Sequence, residues 1–288
     1  MKSPRTQSLY NLLRSCFTQK ILLAQQESPR TSVAGRELDW IRAVTGDLPA
    51  IRGLDFIHDD YAGVVDRSRE WNDRGGIVSI CWHTGIDGND YPSSKEENPD
   101  FEKLLTPGTE AHGKLLRRWD DAARALETLQ AADVPVLWRP FHEFDGRWFW
   151  WGKGGGEAFA ALWRMMYRRF TEDYGLRNLI WVLGYADDVL DGWDPGSEFF
   201  DIAGSDTYRG ETTHAASFRR LQEKYPDKML ALHECGLIPA PDAFFQEGSP
   251  WLWLMPWHGR WLMDNDPFRI REVYQDERFI SLGRLPAF

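Results

Sequence analysis

A chain of 288 residues, 42% hydrophobic and 27% charged, has the composition of a globular protein and a length that suits one large domain or two small ones. A net charge of -10 and a pI near 5.2 argue against nucleic acid or an anionic membrane surface as partner, because phosphate binding needs a basic face; a neutral ligand fits better. No apolar run reaches the roughly 18 residues of a membrane-spanning helix, and Cys16, Cys81 and Cys235, without CxxC spacing, indicate neither a disulfide framework nor structural zinc.

The opening MKSPRTQSLYNLLRSCF has too short an apolar core for a secretory signal, so the chain is expected either to stay inside the cell or to begin after such a segment. Leu9, Leu12, Leu13 and Phe17 fall at helical spacing, and Ile21 to Ala24, ending at Gln25-Gln26, reads as a first strand. A helical segment through Trp40, Ile41 and Val44 leads to a second strand, 49–55, then a helix over 66–74 and a third strand, 76–82, running into His83. Residues 84–111, polar and rich in Gly, Pro and Asn, read as a long binding loop, and 115–132 as the helix that follows it. Val134 to Trp138 is a fourth strand, 157–174 a helix, 178–183 a fifth strand and 201–205 a sixth, running into Asp206 and Tyr208. A helix over 218–224 precedes a seventh strand, 228–232, running into His233-Glu234; an eighth, 251–255, runs into Trp257, and 269–274 closes as helix. Strands alternating with helices and no linker predict an α/β chain built as a single (β/α)₈ TIM barrel over residues 1–288.

The richest stretch is the fourth strand's end, where Arg139, His142 and Glu143 precede Trp148, Phe149, Trp150 and Trp151. Aromatic rings around one carboxyl group raise its pKa by desolvation, which makes Glu143 the first catalytic candidate. All strand C-terminal ends of such a barrel open on one face, so His83, His142, Glu143, Asp206, Tyr208, Glu234 and Trp257 are expected to converge there. Two carboxyl groups facing across a cleft are equipment for glycoside hydrolysis, with retention of configuration if they lie about 5–5.5 Å apart. Fifteen Trp residues suit both core filling and the C–H faces of sugars.

The run WRPFHEFDGRWFWWG closely resembles the Arg-Pro-x-His-Glu-x-Asn-Gly-x-Trp-Phe-Trp-Trp-Gly signature of glycoside hydrolase family 26, whose best-known members are endo-β-1,4-mannanases. The likeness extends from KILLAQQ at the first strand to RIREVYQDERFISLGRLP at the end. It implies a retaining enzyme acting on β-mannan or a related neutral polysaccharide without cofactor or metal, and secretion if a signal segment precedes this chain. By resemblance Glu143 is the acid/base and Glu234, in LALHECG, the nucleophile. Tyr208, with Asp206 in GSDTY, matches the tyrosine that hydrogen-bonds the nucleophile; His83, His142, Trp148 and Trp257 match substrate-binding positions. Asp145 departs from the usual Asn and adds a charge near Glu143; Cys235 and His258 also depart. β-1,3-Xylan, mixed-linkage glucan and a non-catalytic carbohydrate-binding barrel remain alternatives.

Other readings stand beside these. Glu143 paired with Arg139 would be a structural carboxylate, and His83 and Tyr208 would be satisfied core residues. Trp150 and Trp151 are expected to pack rather than touch sugar, and His112 and His214 to be solvated. The adjacent pairs His142-Glu143 and His233-Glu234 do not continue as the HExxH metal motif.

Overall fold

A computed structural model describes residues 1–288, save the side chain of residue 31. Eight parallel strands form the barrel: β1 (Ile21–Gln26), β2 (Ile51–Asp55), β3 (Ile77–Cys81), β4 (Val136–Arg139), β5 (Leu179–Tyr185), β6 (Ile202–Asp206), β7 (Met229–Cys235) and β8 (Trp253–Pro256). Each pairs with the next, and β1 closes the ring by pairing with both β8 and β2. A short β9 (Phe279–Ile280), absent from the sequence reading, adds to β1 outside the ring.

Strand residues are buried on both faces because helices cover the outside, so the strands read as apolar runs rather than alternating patterns. One parity, including Leu22, Ala24, Ile51, Ile77, Ile180, Ile202, Ala231 and Trp253, packs as the barrel interior. The other parity, including Leu23, Val78, Trp138, Leu183 and Leu254, packs under the helices. The first helix, Pro4–Cys16, is capped by Ser3, whose hydroxyl accepts the Thr6 N–H, and it presses Leu9 and Leu13 onto the interior cluster. This closes the mouth at the strands' N-terminal ends: Ser3 donates its N–H to the Arg177 carbonyl just before β5. The opposite mouth is left for the site.

The predicted elements hold with shifted ends, and the largest departure lies between β3 and β4. Residues 84–111 are not plain loop: they carry helices Tyr91–Glu96 and Phe101–Leu105, and the long helix Glu110–Ala131 begins inside them. Asp90, Asp100 and Thr109 cap these three helices by accepting backbone N–H groups, so three of the polar residues that read as loop composition are helix starts. Glu97 accepts the Asp87 and Gly88 N–H groups, and Lys153 donates to the Lys95 and Glu97 carbonyls, which holds the segment against the loop after β4.

Candidate active site

The residues at the open mouth are placed by the ends of β2, β3, β4, β6, β7 and β8. Arg139, the last residue of β4, is buried and crosses the barrel above Gly184, where an added Cβ would lie 3.5 Å from its guanidinium. One arm donates to Asp206 at 2.7 Å and the other to Glu234 Oε1. This overturns the alternative pairing of Arg139 with Glu143, and its physical reason is reach: β4 points the guanidinium across the ring rather than up into its own loop.

Glu234 reaches the mouth through a break in register. Ser205 pairs with Leu232 but Asp206 pairs with Glu234, so His233 is an extra residue in β7. Such a bulge re-aims the next side chain, and here it brings Glu234 onto the same inward face as Asp206. Gly204 makes room for the displaced ring: a Cβ there would lie 2.3 Å from His233 Nε2. The Tyr208 hydroxyl donates to Glu234 Oε2 at 2.5 Å. Both carboxylate oxygens of Glu234 therefore have donors, one of them a cation.

Glu143 stands opposite on a backbone turned to φ 53, with its N–H donated to the Gly184 carbonyl at 2.8 Å. Oxygens of Glu143, Asp206 and Glu234 all approach within 4.8 Å of one another. Trp148 Nε1 donates to Glu143 Oε2 at 2.7 Å. Burial, then the charge of Glu234, lifts the Glu143 carboxyl to about 8, against the pull of the Trp148 hydrogen bond and Arg139. Burial likewise pushes the Asp206 carboxyl well up, against Arg139. One guanidinium thus serves two carboxyls, pairing with Asp206 through one arm and with Glu234 through the other.

A second buried chain flanks the first. Asp55, ending β2, accepts the His83 backbone N–H at 3.0 Å and lies 2.5 Å from His83 Nδ1. Burial disfavours charge on His83, but the Asp55 carboxylate more than offsets it and raises the imidazole above its ordinary value. His142 is pushed well below its own by burial and by the charges of Arg139 and His83. The pair lie Nε2 to Nε2 at 3.1 Å, so one ring donates to the other, and the raised His83 beside the lowered His142 favours His83 as the donor. His83 also meets the Trp257 ring, centroids 5.9 Å apart, and the ring of half-exposed Tyr91 at 5.4 Å. Two triads, Glu143-Asp206-Glu234 and Asp55-Cys81-His83, have donor atoms at cation-binding separation, but Arg139 already occupies the first as its positive charge and the Asp55–His83 pair is internally satisfied in the second.

All eight anticipated rim residues, His83, His142, Glu143, Trp148, Asp206, Tyr208, Glu234 and Trp257, stand at this one mouth. Among the aromatic run only Trp148, 40% exposed, touches Glu143; Trp150 and Trp151 are buried, donating to the Thr84 and His142 carbonyls. A sequence profile of glycosyl hydrolase family 26 matches residues 2–281. The chain belongs to glycosyl hydrolase family 26. Among its family relatives, a mannan endo-1,4-beta-mannosidase of Thermothelomyces thermophilus is 30% identical over 98% of this chain and 61% of its own length. Mannan endo-1,4-beta-mannosidase B of Piromyces sp. is 27% identical over 99% of this chain and 52% of its own. The chain thus spans between half and two thirds of the length of these curated relatives. Among solved structures, a Podospora anserina GH26-CBM35 beta-(1,4)-mannanase superposes with TM-score 0.89 at 31% identity, covering 98% of this chain and 67% of that one. A beta-mannanase from a symbiotic protist of the termite Reticulitermes speratus, complexed with gluco-manno-oligosaccharide, gives 0.90 at 28% identity, covering 100% and 96%.

In this family 26 member three expectations are corrected. Asp145 does not face Glu143: its carboxyl accepts the Ala186 and Leu190 N–H groups at 2.7 and 3.0 Å, away from the cleft. His214 is buried rather than solvated, within 3.2 Å of the Thr207 hydroxyl, and burial drops its pKa to about 4. His112 is half-buried with Nδ1 3.0 Å from the Leu104 carbonyl. Arg139's bridging role, Asp55 and Tyr91 were missed; for the first two the signal was present, since each ends an apolar strand as the rim residues do.

Proposed function

We propose that this chain, as one catalytic domain over residues 1–288, hydrolyses internal β-1,4-mannosidic linkages of mannan-type polysaccharides with retention of configuration. The observation that carries the reading is a pair of facing carboxyl groups in different surroundings, Glu143 raised to about 8 chiefly by burial and Glu234 held by Arg139 and Tyr208, with oxygens within 4.8 Å. That separation suits direct attack and leaves no room for the water that an inverting pair, about 6.5–9.5 Å apart, would hold. The amino-acid sequence likeness to mannan endo-1,4-beta-mannosidases supports mannan as the substrate.

In the first step a Glu234 oxygen attacks the anomeric carbon and forms an ester, while Glu143 gives its proton to the departing glycosidic oxygen. Arg139 and the Tyr208 hydroxyl orient the attacking carboxylate. In the second step Glu143, now ionised, takes a proton from water, whose oxygen displaces Glu234 and releases the sugar. Trp148 and Trp257 wall the reacting ring, and His83, His142 and Asp206, expected to hold its hydroxyls, act as the buried polar floor beneath it. The wild type is expected to release oligosaccharides from unbranched mannan in preference to β-1,3-xylan or barley glucan. Glu234→Ala loses nearly all turnover and regains some with azide, giving a product of inverted configuration. Binding of mannan without release, or both single Glu→Ala variants retaining most activity, would overturn the proposal.

A further inference from the structure

Asp145 is a buried carboxylate whose hydrogen-bond partners are backbone. Oδ1 accepts the Ala186 N–H and Oδ2 the Leu190 N–H, and the nearby charge that acts on it is that of Asp188 rather than a lysine or arginine. Between the two donors lies Val189 at φ 48, a conformation that β-branched residues avoid because Cβ crowds the following carbonyl. The clamp therefore spans a strained turn in the loop after β5. Its own side is strained as well, since Phe141, Glu143 and Arg147 all have φ between 52 and 61. Strain of this kind persists only where surrounding contacts over-determine it. Here the contacts are the Glu143 N–H on the Gly184 carbonyl and, two residues on, the two-oxygen clamp of Asp145.

We propose that Asp145 is a positioning residue for the acid/base: by gripping both N–H groups of the loop after β5, it fixes the left-handed Glu143 turn at the height of the glycosidic oxygen. The proposal rests on the reading of Glu143 as the proton donor. It also gives a physical meaning to Asp where the family signature has Asn, because an amide offers only one acceptor oxygen and would set its NH₂ against the second N–H.

Asp145→Asn tests this with two substrates. Mannan and mannotetraose need a proton at the leaving oxygen, whereas a 2,4-dinitrophenyl β-mannobioside departs without one in the step that kcat/KM reports. Misplacing the donor forfeits part of the roughly 10²–10⁴-fold that general acid catalysis supplies. We expect kcat/KM of D145N to fall about tenfold or more on mannotetraose and less than about threefold on the aryl glycoside, with an altered basic limb of the pH profile. Asp145→Asn with Val189→Gly relieves the turn that the clamp sustains and is expected to restore at least a third of the lost mannotetraose activity; if D145N alone does not fold, this double variant carries the same substrate comparison. Equal losses on both substrates, or no loss, overturn the positioning role. Glu143→Ala is the control: should it fail to show the selective pattern, the acid/base reading falls and the Asp145 role with it, whereas a selective E143A beside a non-selective D145N removes only the latter.

Discussion

Replacing Trp148 by Phe keeps a ring at the cleft wall and removes the Nε1–H that Glu143 Oε2 accepts at 2.7 Å. That donor favours the carboxylate form, so it acts against the burial that lifts Glu143 to about 8. A hydrogen bond to a charged group is worth about 1.5–3 kcal/mol. Trp148 is 40% exposed, so solvent competes for both partners and about 1 kcal/mol is the fair value here. At 1.36 kcal/mol per unit this is about 0.7 pH unit. The sign follows from the chemistry: the competent free enzyme has Glu143 protonated, and kcat/KM falls as pH rises through about 8. Losing a partner of the ionised form moves that fall to higher pH. The assay is kcat/KM on mannotetraose between pH 5 and 10, in which the height of the curve reports lost substrate contacts and the position of its basic limb reports Glu143. A limb that stays in place, or moves to lower pH, would refute the assignment of that limb to a Trp148-bonded Glu143.

Glu143→Gln is expected to stabilise the fold at pH 8 and not at pH 4. The unfolded carboxyl ionises near 4.5 while the folded one holds its proton to about 8, so its burial costs stability increasingly across that window and nothing below it. After discounting for partial exposure, a gain of roughly 1–2 kcal/mol, or about 2–3 °C in Tm, is expected; equal gains at both pH values would contradict this. Arg139→Met strands Asp206 and Glu234 without their cation and is expected to cost about 3–5 kcal/mol, lowering Tm by roughly 5–8 °C in thermal melts. An unchanged Tm would show that the guanidinium is dispensable to the buried pair. Tyr208→Phe deletes the hydroxyl on Glu234 Oε2 and should lower kcat about 10- to 100-fold with the fold intact by circular dichroism; a smaller loss would mean that Arg139 alone orients the nucleophile.

The rim was legible because two simple rules met. Apolar runs of strand length marked where each strand ends, and a closed parallel barrel gathers those ends whatever their distance in sequence. Glu143 and Glu234 were found in this way, and the Trp-rich motif gave the family. What escaped depended on three-dimensional register or reach. Nothing in LALHEC announces that His233 is an extra residue, which turns Glu234 onto the same face as Asp206. The length and direction of Arg139 decide that it serves Glu234 and Asp206 and not the glutamate four positions along its own chain. Asp145 was read by its charge, yet its position matters more, since the loop after β5 supplies two backbone donors that no local pattern reveals. The short helices between β3 and β4 were in principle readable, because Asp90-Tyr91-Pro92 and Asp100-Phe101 are helix starts hidden within a polar, Gly-rich stretch.

The most direct measurement is to trap the ester. The wild type incubated with a 2-deoxy-2-fluoro-β-mannobiosyl fluoride, whose hydrolysis of the glycosyl-enzyme is slowed, should gain the mass of one fluoroglycosyl unit, and digestion should place it on the peptide carrying Glu234. No covalent gain under conditions where mannan is cleaved, or a label on any other side chain, would contradict attack by Glu234.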